Sequence, residues 1–337
     1  MKTSGRTITV SAPGKIHLLG EHSVVYGKPA LLTAINLRTN VILTAKPEGS
    51  LANASSSDEL RDSSPPTATQ LLADQNDKIK AIIEPIVKKY LKIKQIPPYK
   101  LEISSEFPLG AGLGSSAAIS SAYIGALLTF LKIKWDLHLI NKLSFEAEKA
   151  FHGNPSGADN AAVVFGGLIW FRKETTDLKI IQPINSPVPA NIAGNFILIN
   201  TGKPKETTKE MVGLVKLRVK SQESRVKKIF DHQEQLVKEL LLTIQCGNEK
   251  ELIKIIRAGE KNLEKMGVVS WYVQSIIRKI EKAGGAAKVC GGGGKTKATG
   301  VLLAYHPEKS VLEKIAKSYD LPYYTVVLGA EGLRKEI

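Results

Sequence analysis

Cysteine is nearly absent from this chain: Cys246 and Cys290 are the only two, far apart in sequence. That count leaves neither a disulfide framework nor a clustered zinc site, and the usage is that of a reducing compartment. Aromatic residues make up only 6%, too few to interleave a basic strip with stacking platforms, which speaks against single-stranded nucleic acid as the main ligand. No apolar run approaches the roughly 18 residues that cross a bilayer. The stretch from Met1 to Arg6 enters the alternating Thr7-Ile8-Thr9-Val10 without an apolar signal core, so the expectation is a cytoplasmic protein. No period of 20–50 residues recurs, which excludes a solenoid. Acidic residues are in deficit, 32 against 47 Lys and Arg, for a net charge of +15. Such an excess favours polyanionic partners in general. The basic residues are spread along amphipathic stretches (Lys88, Lys89, Lys92; Lys216, Arg218, Lys220), so solvated helix faces and attraction of a phosphorylated ligand account for the charge as well as nucleic acid does.

What is present is a core: 43% of the 337 residues are hydrophobic, enough for one large or two smaller domains. Alternation predicts strands over 7–11, 30–35, 40–45 and 99–104, and the polar, Ser- and Pro-punctuated 47–66 predicts a mobile loop. Helical spacing runs through Ile79, Ile82, Ile83, Ile86, Val87 and Leu91, and again near 136–151. Strands are expected around 163–172, at 196–200, 298–305 and 324–328. Helices are expected over 206–243, 248–265, 270–283 and 307–318. The prolines at 183, 187 and 189 mark a domain join near 180–195.

Residues 108–118 carry the most chemical information: Pro108, Leu109, Gly110, Ala111, Gly112, Leu113, Gly114, Ser115, Ser116, Ala117 and Ala118. Three spaced glycines let the backbone turn sharply and approach an anion, and the apolar helix that follows presents its positive end there. Taken alone, this is either a nucleotide-phosphate site or a glycine-rich turn without a ligand. Lys295-Thr296 after Gly291–Gly294 invites a P-loop reading, but position 289 is valine and the following segment reads as a strand, so the required context fails.

Two further constellations stand out. The stretch from Ala12 to Gly27 follows the first strand and sets Lys15, His17, Glu21 and His22 among tight turns; taken alone, Lys15 is more readily a surface lysine and His22 a satisfied core histidine than catalytic groups. In Glu146 to Asn160, Glu148 lies on a predicted helix and Asp159 follows a Pro/Gly turn that can aim its carboxylate. Two such carboxylates suit phosphoryl transfer, one holding Mg²⁺ and one orienting a hydroxyl. The plain alternative is a helix-end glutamate and an Asx-turn aspartate.

In this order the three segments resemble the motifs of the GHMP kinases, the superfamily named for galactokinase, homoserine kinase, mevalonate kinase and phosphomevalonate kinase. Gly20-Glu21-His22-Ser23-Val24-Val25-Tyr26-Gly27-Lys28-Pro29-Ala30 and His152-Gly153-Asn154-Pro155-Ser156-Gly157-Ala158-Asp159-Asn160 are most similar to its mevalonate kinase branch. The resemblance implies an α+β fold of two domains, 1–188 like ribosomal protein S5 domain 2 and 189–337 ferredoxin-like, with the site in the cleft between them. It implies Asp159 and Lys15 as catalytic residues, 108–118 as the ATP phosphate loop, and Ser116 and Glu148 as Mg²⁺ ligands. Glu21, His22 and either Thr207 or Thr208 would contact mevalonate. It also makes a homodimer the expected assembly. The late segment Lys288-Val289-Cys290-Gly291-Gly292-Gly293-Gly294-Lys295 departs from the family pattern, with cysteine where a hydroxyl residue is usual.

Overall fold

The computed structural model describes residues 6–47, 68–108, 112–152, 155–175 and 178–336. Of the loop expected over 47–66 only Pro47 is among them, and Leu109, Gly110 and Ala111 of the glycine loop lie outside. The first strand, β1 (Thr7–Leu19), is longer than its alternation suggests. Val10 to Ile16 are all buried, so both strand faces are covered and the polar/apolar alternation that marks a strand disappears there. Pro13 and Gly14 sit at a register shift against the next strand, which is where a proline and a glycine are tolerated inside a ladder. The segment from Ala12 to Leu19, expected as tight turns, is therefore strand, and it continues through a short 3₁₀ turn at Ser23–Tyr26 into β2 (Ala30–Ala45), one unbroken strand in place of the expected two.

Helix α1 (Ala68–Leu91) and strand β3 (Tyr99–Ser105) follow, then three helices, α2 (Ser115–Phe130), α3 (Leu137–His152) and α4 (Ala158–Phe165). The strand expected around 163–172 begins only at β4 (Leu168–Lys173). Ala161-Ala162-Val163-Val164 is apolar and β-branched enough to read as a strand, but Gly157 in a left-handed conformation starts a helix there and Gly166, also at positive φ, ends it. Strand β5 (Lys179–Ile184) completes the first half, whose sheet has β1, β2, β4 and β5 in that order, with β3 also paired to β2 and the late strand β10 (Arg334–Lys335) on the other side of β1.

After the short α5 (Ala190–Ala193), strand β6 (Phe196–Asn200) opens a second sheet. The expected single helix over 206–243 is two, α6 (Thr208–Ser221) and α7 (Glu223–Gln245), broken at Gln222. Then come α8 (Glu249–Lys265), α9 (Trp271–Lys282), β7 (Ala286–Val289), β8 (Val301–Tyr305), α10 (Lys309–Ser318), β9 (Tyr323–Val326) and β10 (Arg334–Lys335). The second sheet is antiparallel with order β7-β8-β6-β9. Among the described residues, no helix is long and apolar enough to cross a membrane.

The two halves are not separate along the chain. One continuous apolar cluster runs from Val10, Leu31 and Tyr123 to Phe196, Leu236, Ile256 and Leu303. The last strand, β10, returns to pair with β1. Buried Arg38 holds this return by donating to the carbonyls of Glu331 and Gly332, at 2.9 and 2.7 Å. The backbone at Gly332 presses against that at Gly166, so that a Cβ on Gly332 would lie 2.3 Å from the carbonyl oxygen of Val164. Gly332→Ala therefore forces backbone apart; an equilibrium urea titration is expected to show a loss of about 1–3 kcal/mol.

Candidate active site

Strand β1 carries Lys15 into the interior, where it is 3% exposed. Its Nζ lies 3.0 Å from Asp159 Oδ1 and 3.3 Å from His17 Nδ1. Asp159 is in the first turn of α4, where the positive end of the helix favours a carboxylate. The Lys15 amide donates to the Leu113 carbonyl at 2.9 Å, which fastens β1 to the glycine loop. Gly114, at φ +75°, leaves room for the lysine stem: a Cβ there would stand 2.7 Å from Lys15 Cγ.

Around this pair the charges separate clearly. Partial burial pushes the Asp159 carboxyl up, but the charge and hydrogen bond of Lys15 outweigh it and hold the group below the usual carboxylate range. His17 is held neutral, at about 3, by burial first and by the Lys15 charge second, so its Nδ1 accepts from the lysine.

The start of α2 meets the end of α3 beside this pair. Ser116 Oγ donates to Glu148 Oε2 at 3.1 Å and lies 3.0 Å from His152 Nε2. Glu148 is 3% exposed and its Oε1 has no hydrogen-bond partner. Burial raises the carboxyl to about 7, against the relief of the Ser116 bond and with Asp159 adding to the rise. A buried carboxylate with an open oxygen, beside a hydroxyl, is a donor set for a hard divalent cation. No group of three His, Cys, Asp or Glu among the described residues could enclose a metal, so such an ion would draw its other oxygens from water and nucleotide phosphates.

The substrate-side candidates cluster on the opposite wall. Glu21, 3% exposed, pairs with Lys288, which is wholly buried. His22 is at positive φ and its Nε2 donates to the Gly292 carbonyl at 3.2 Å; burial chiefly lowers its pKa to about 4. Gly291 lies against Gly112, so the late glycine segment faces the earlier glycine loop. Gly292 in turn lies against Thr208, whose Oγ1 would be 3.3 Å from a Cβ placed there. Thr207 is occupied otherwise: it caps α6, accepting from the Glu210 amide at 3.2 Å and donating to Glu210 Oε2 at 2.9 Å.

Lys15, Asp159, Ser116 and Glu148 thus converge, and Glu21, His22 and Thr208 gather around Gly292 and the late glycine segment. Pro108, Gly112 to Ala118 are described and flank them. Three participants were given no role from sequence. His17, noted there only as part of the early constellation, follows Lys15 by two residues and shares its strand face, a signal hidden while that segment read as turns. Lys288 and Glu260 are joined to the site through space only: Glu260 accepts from the Val289 amide at 2.9 Å.

Residues 77–167 match the family model "GHMP kinases N terminal domain", and residues 2–45 match "Galactokinase galactose-binding signature". A mevalonate kinase of Archaeoglobus fulgidus is 31% identical over 90% of this chain and 95% of its own length. One from Pyrococcus abyssi is 28% identical over 98% of each. Among solved structures, L. major mevalonate kinase in complex with R-mevalonate superposes with a TM-score of 0.77 at 22% identity, covering 98% of both chains.

The raised Glu148 carboxyl makes a stability prediction that needs no substrate. Its folded pKa, about 7, exceeds the ordinary 4.5, so the stabilisation is full below pH ~4.5 and lost as pH rises through about 7. In metal-free protein, His17 and His22, held at about 3 and 4, make stability rise with pH up to about 6.5 and offset this loss there, so melting temperature should fall between about pH 6.5 and 8, and Glu148→Gln should shrink that fall, leaving the part due to Glu260, which burial pushes up to about 8.

Proposed function

Because the chain belongs to the mevalonate kinase family of the GHMP kinases, we infer that it transfers the γ-phosphoryl group of ATP to the C5 hydroxyl of (R)-mevalonate, giving 5-phosphomevalonate and ADP. The observation that carries this reading is the 3.0 Å Lys15–Asp159 pair set at the mouth of a glycine loop and helix start, with Ser116 and Glu148 one step away. The galactokinase signature falls on β1 and β2, and the relatives matched over nearly the whole length are mevalonate kinases, which supports mevalonate over a sugar.

Each residue then has a role. Backbone N–H groups of the glycine loop and the first turn of α2 receive the phosphates. Asp159 accepts a hydrogen bond from the C5 hydroxyl and aims its oxygen. A carboxylate held below its usual range is a weak base, and phosphoryl transfer through a loose transition state asks little deprotonation early. Orientation is therefore its first contribution, and the proton passes to it late. Lys15 keeps Asp159 ionised and faces the charge that develops on the γ-phosphate. Ser116 and Glu148 would hold Mg²⁺, which when bound neutralises nucleotide phosphate charge. Glu21, His22 and Thr208 would contact mevalonate; Thr208 is preferred over Thr207 because the latter's hydroxyl is engaged in the capping box. A homodimer in the cytoplasm belongs to the same proposal and rests on the family alone.

The direct test is a panel of acceptors (mevalonate, phosphomevalonate, homoserine, galactose) in an ADP-release assay; absence of stimulation by mevalonate overturns the reading. Asp159→Asn is expected to lower kcat about 10²–10⁴-fold while ATP binding, followed by calorimetry, stays within twofold. Thr208→Ala should raise the mevalonate KM, about tenfold for one lost bond to a charged group. Thr207→Ala should leave KM alone and lower the unfolding free energy by about 1 kcal/mol through loss of the helix cap.

A further inference from the structure

Lys288 is an ammonium group at zero exposure in β7, and every hydrogen it carries is engaged. It donates to Glu21 Oε1, to the His17 carbonyl at 3.1 Å and to the Val289 carbonyl at 2.8 Å. A buried lysine is tolerated only when so satisfied. Two of the three acceptors belong to β1 and the segment after it. The His17 carbonyl stands at the register shift between His17 and Leu19, where pairing with β2 is interrupted. On its other side β7 is held by the Val289 amide bonding to Glu260 of α8. Glu21 Oε2 remains buried and unpartnered.

We propose that Lys288 is a positioning residue for the phosphoryl acceptor: from the second sheet it grips the end of β1 and fixes Glu21 with one oxygen engaged and the other left for the substrate. It touches no solvent and so acts through Glu21. This rests on the mevalonate kinase reading, in which Glu21 faces the acceptor. The glycine segment that Lys288 precedes thereby serves the acceptor wall through its first residue.

The test is a double-mutant cycle of Lys288→Met, Glu21→Gln and both together, with KM for mevalonate and for ATP measured separately. Wild-type protein that fails to phosphorylate mevalonate refutes the parent reading whatever the variants do. Given activity, Lys288→Met is expected to raise the mevalonate KM about 10–100-fold, with the ATP KM within twofold. The double variant should match Glu21→Gln alone, since the proposed effect on the acceptor passes through Glu21 and not through the grip on the His17 carbonyl. The inference is overturned by an unchanged mevalonate KM in Lys288→Met, by effects that multiply in the double variant, or by an ATP KM that rises in step. Should Lys288→Met alone not fold, the double variant, free of any uncompensated buried charge, still decides through its comparison with Glu21→Gln.

Discussion

Everything at the site depends on one ion pair between a strand and a helix that are far apart in sequence. Lys15 reaches Asp159 because β1 continues past Pro13 and Gly14, because a register shift absorbs both, and because Gly114 has no side chain where the lysine stem passes. The same strand is tied to the glycine loop by a single amide-to-carbonyl bond, Lys15 to Leu113. The glycine loop and the Lys15–Asp159 pair are thus joined through the backbone of β1.

Two carboxylates in this unit are driven in opposite directions. Asp159 is kept charged by Lys15, whereas Glu148, less exposed and relieved by Ser116 and more weakly by Lys15, is raised to about 7. A group poised in this way responds strongly to an incoming cation, while its neighbour is indifferent to pH over the neutral range. Environment alone separates the two tasks.

Much of this was legible in the sequence, and what was not has identifiable causes. Gly110 to Ser116, Glu148 and Asp159 stood out because their order along the chain resembles a family's motifs; each pattern alone reads as well as an ordinary turn or helix end. Most helices followed from periodicity, and the α+β class was what the family resemblance implied. Strand β1 beyond Ser11 was hidden because a strand buried on both faces loses alternation, and Pro13 with Gly14 imitates a turn. Helix α4 was hidden because its alanines and valines fit either state until Gly157 adopts positive φ. Lys288 could not be placed at all: its partners Glu21 and the His17 carbonyl are joined to it only by tertiary contact.

The pairing of β10 with β1 brings together Lys335 and Val10, near opposite ends of the chain. Pairing across so long a stretch leaves the β1 edge of the first sheet open until residues 334 and 335 have been added, and Leu328 and Leu333, from the same late segment, complete its apolar cluster. A cut before residue 334 would unpair the edge at Val10 and Ser11, on the very strand that bears Lys15.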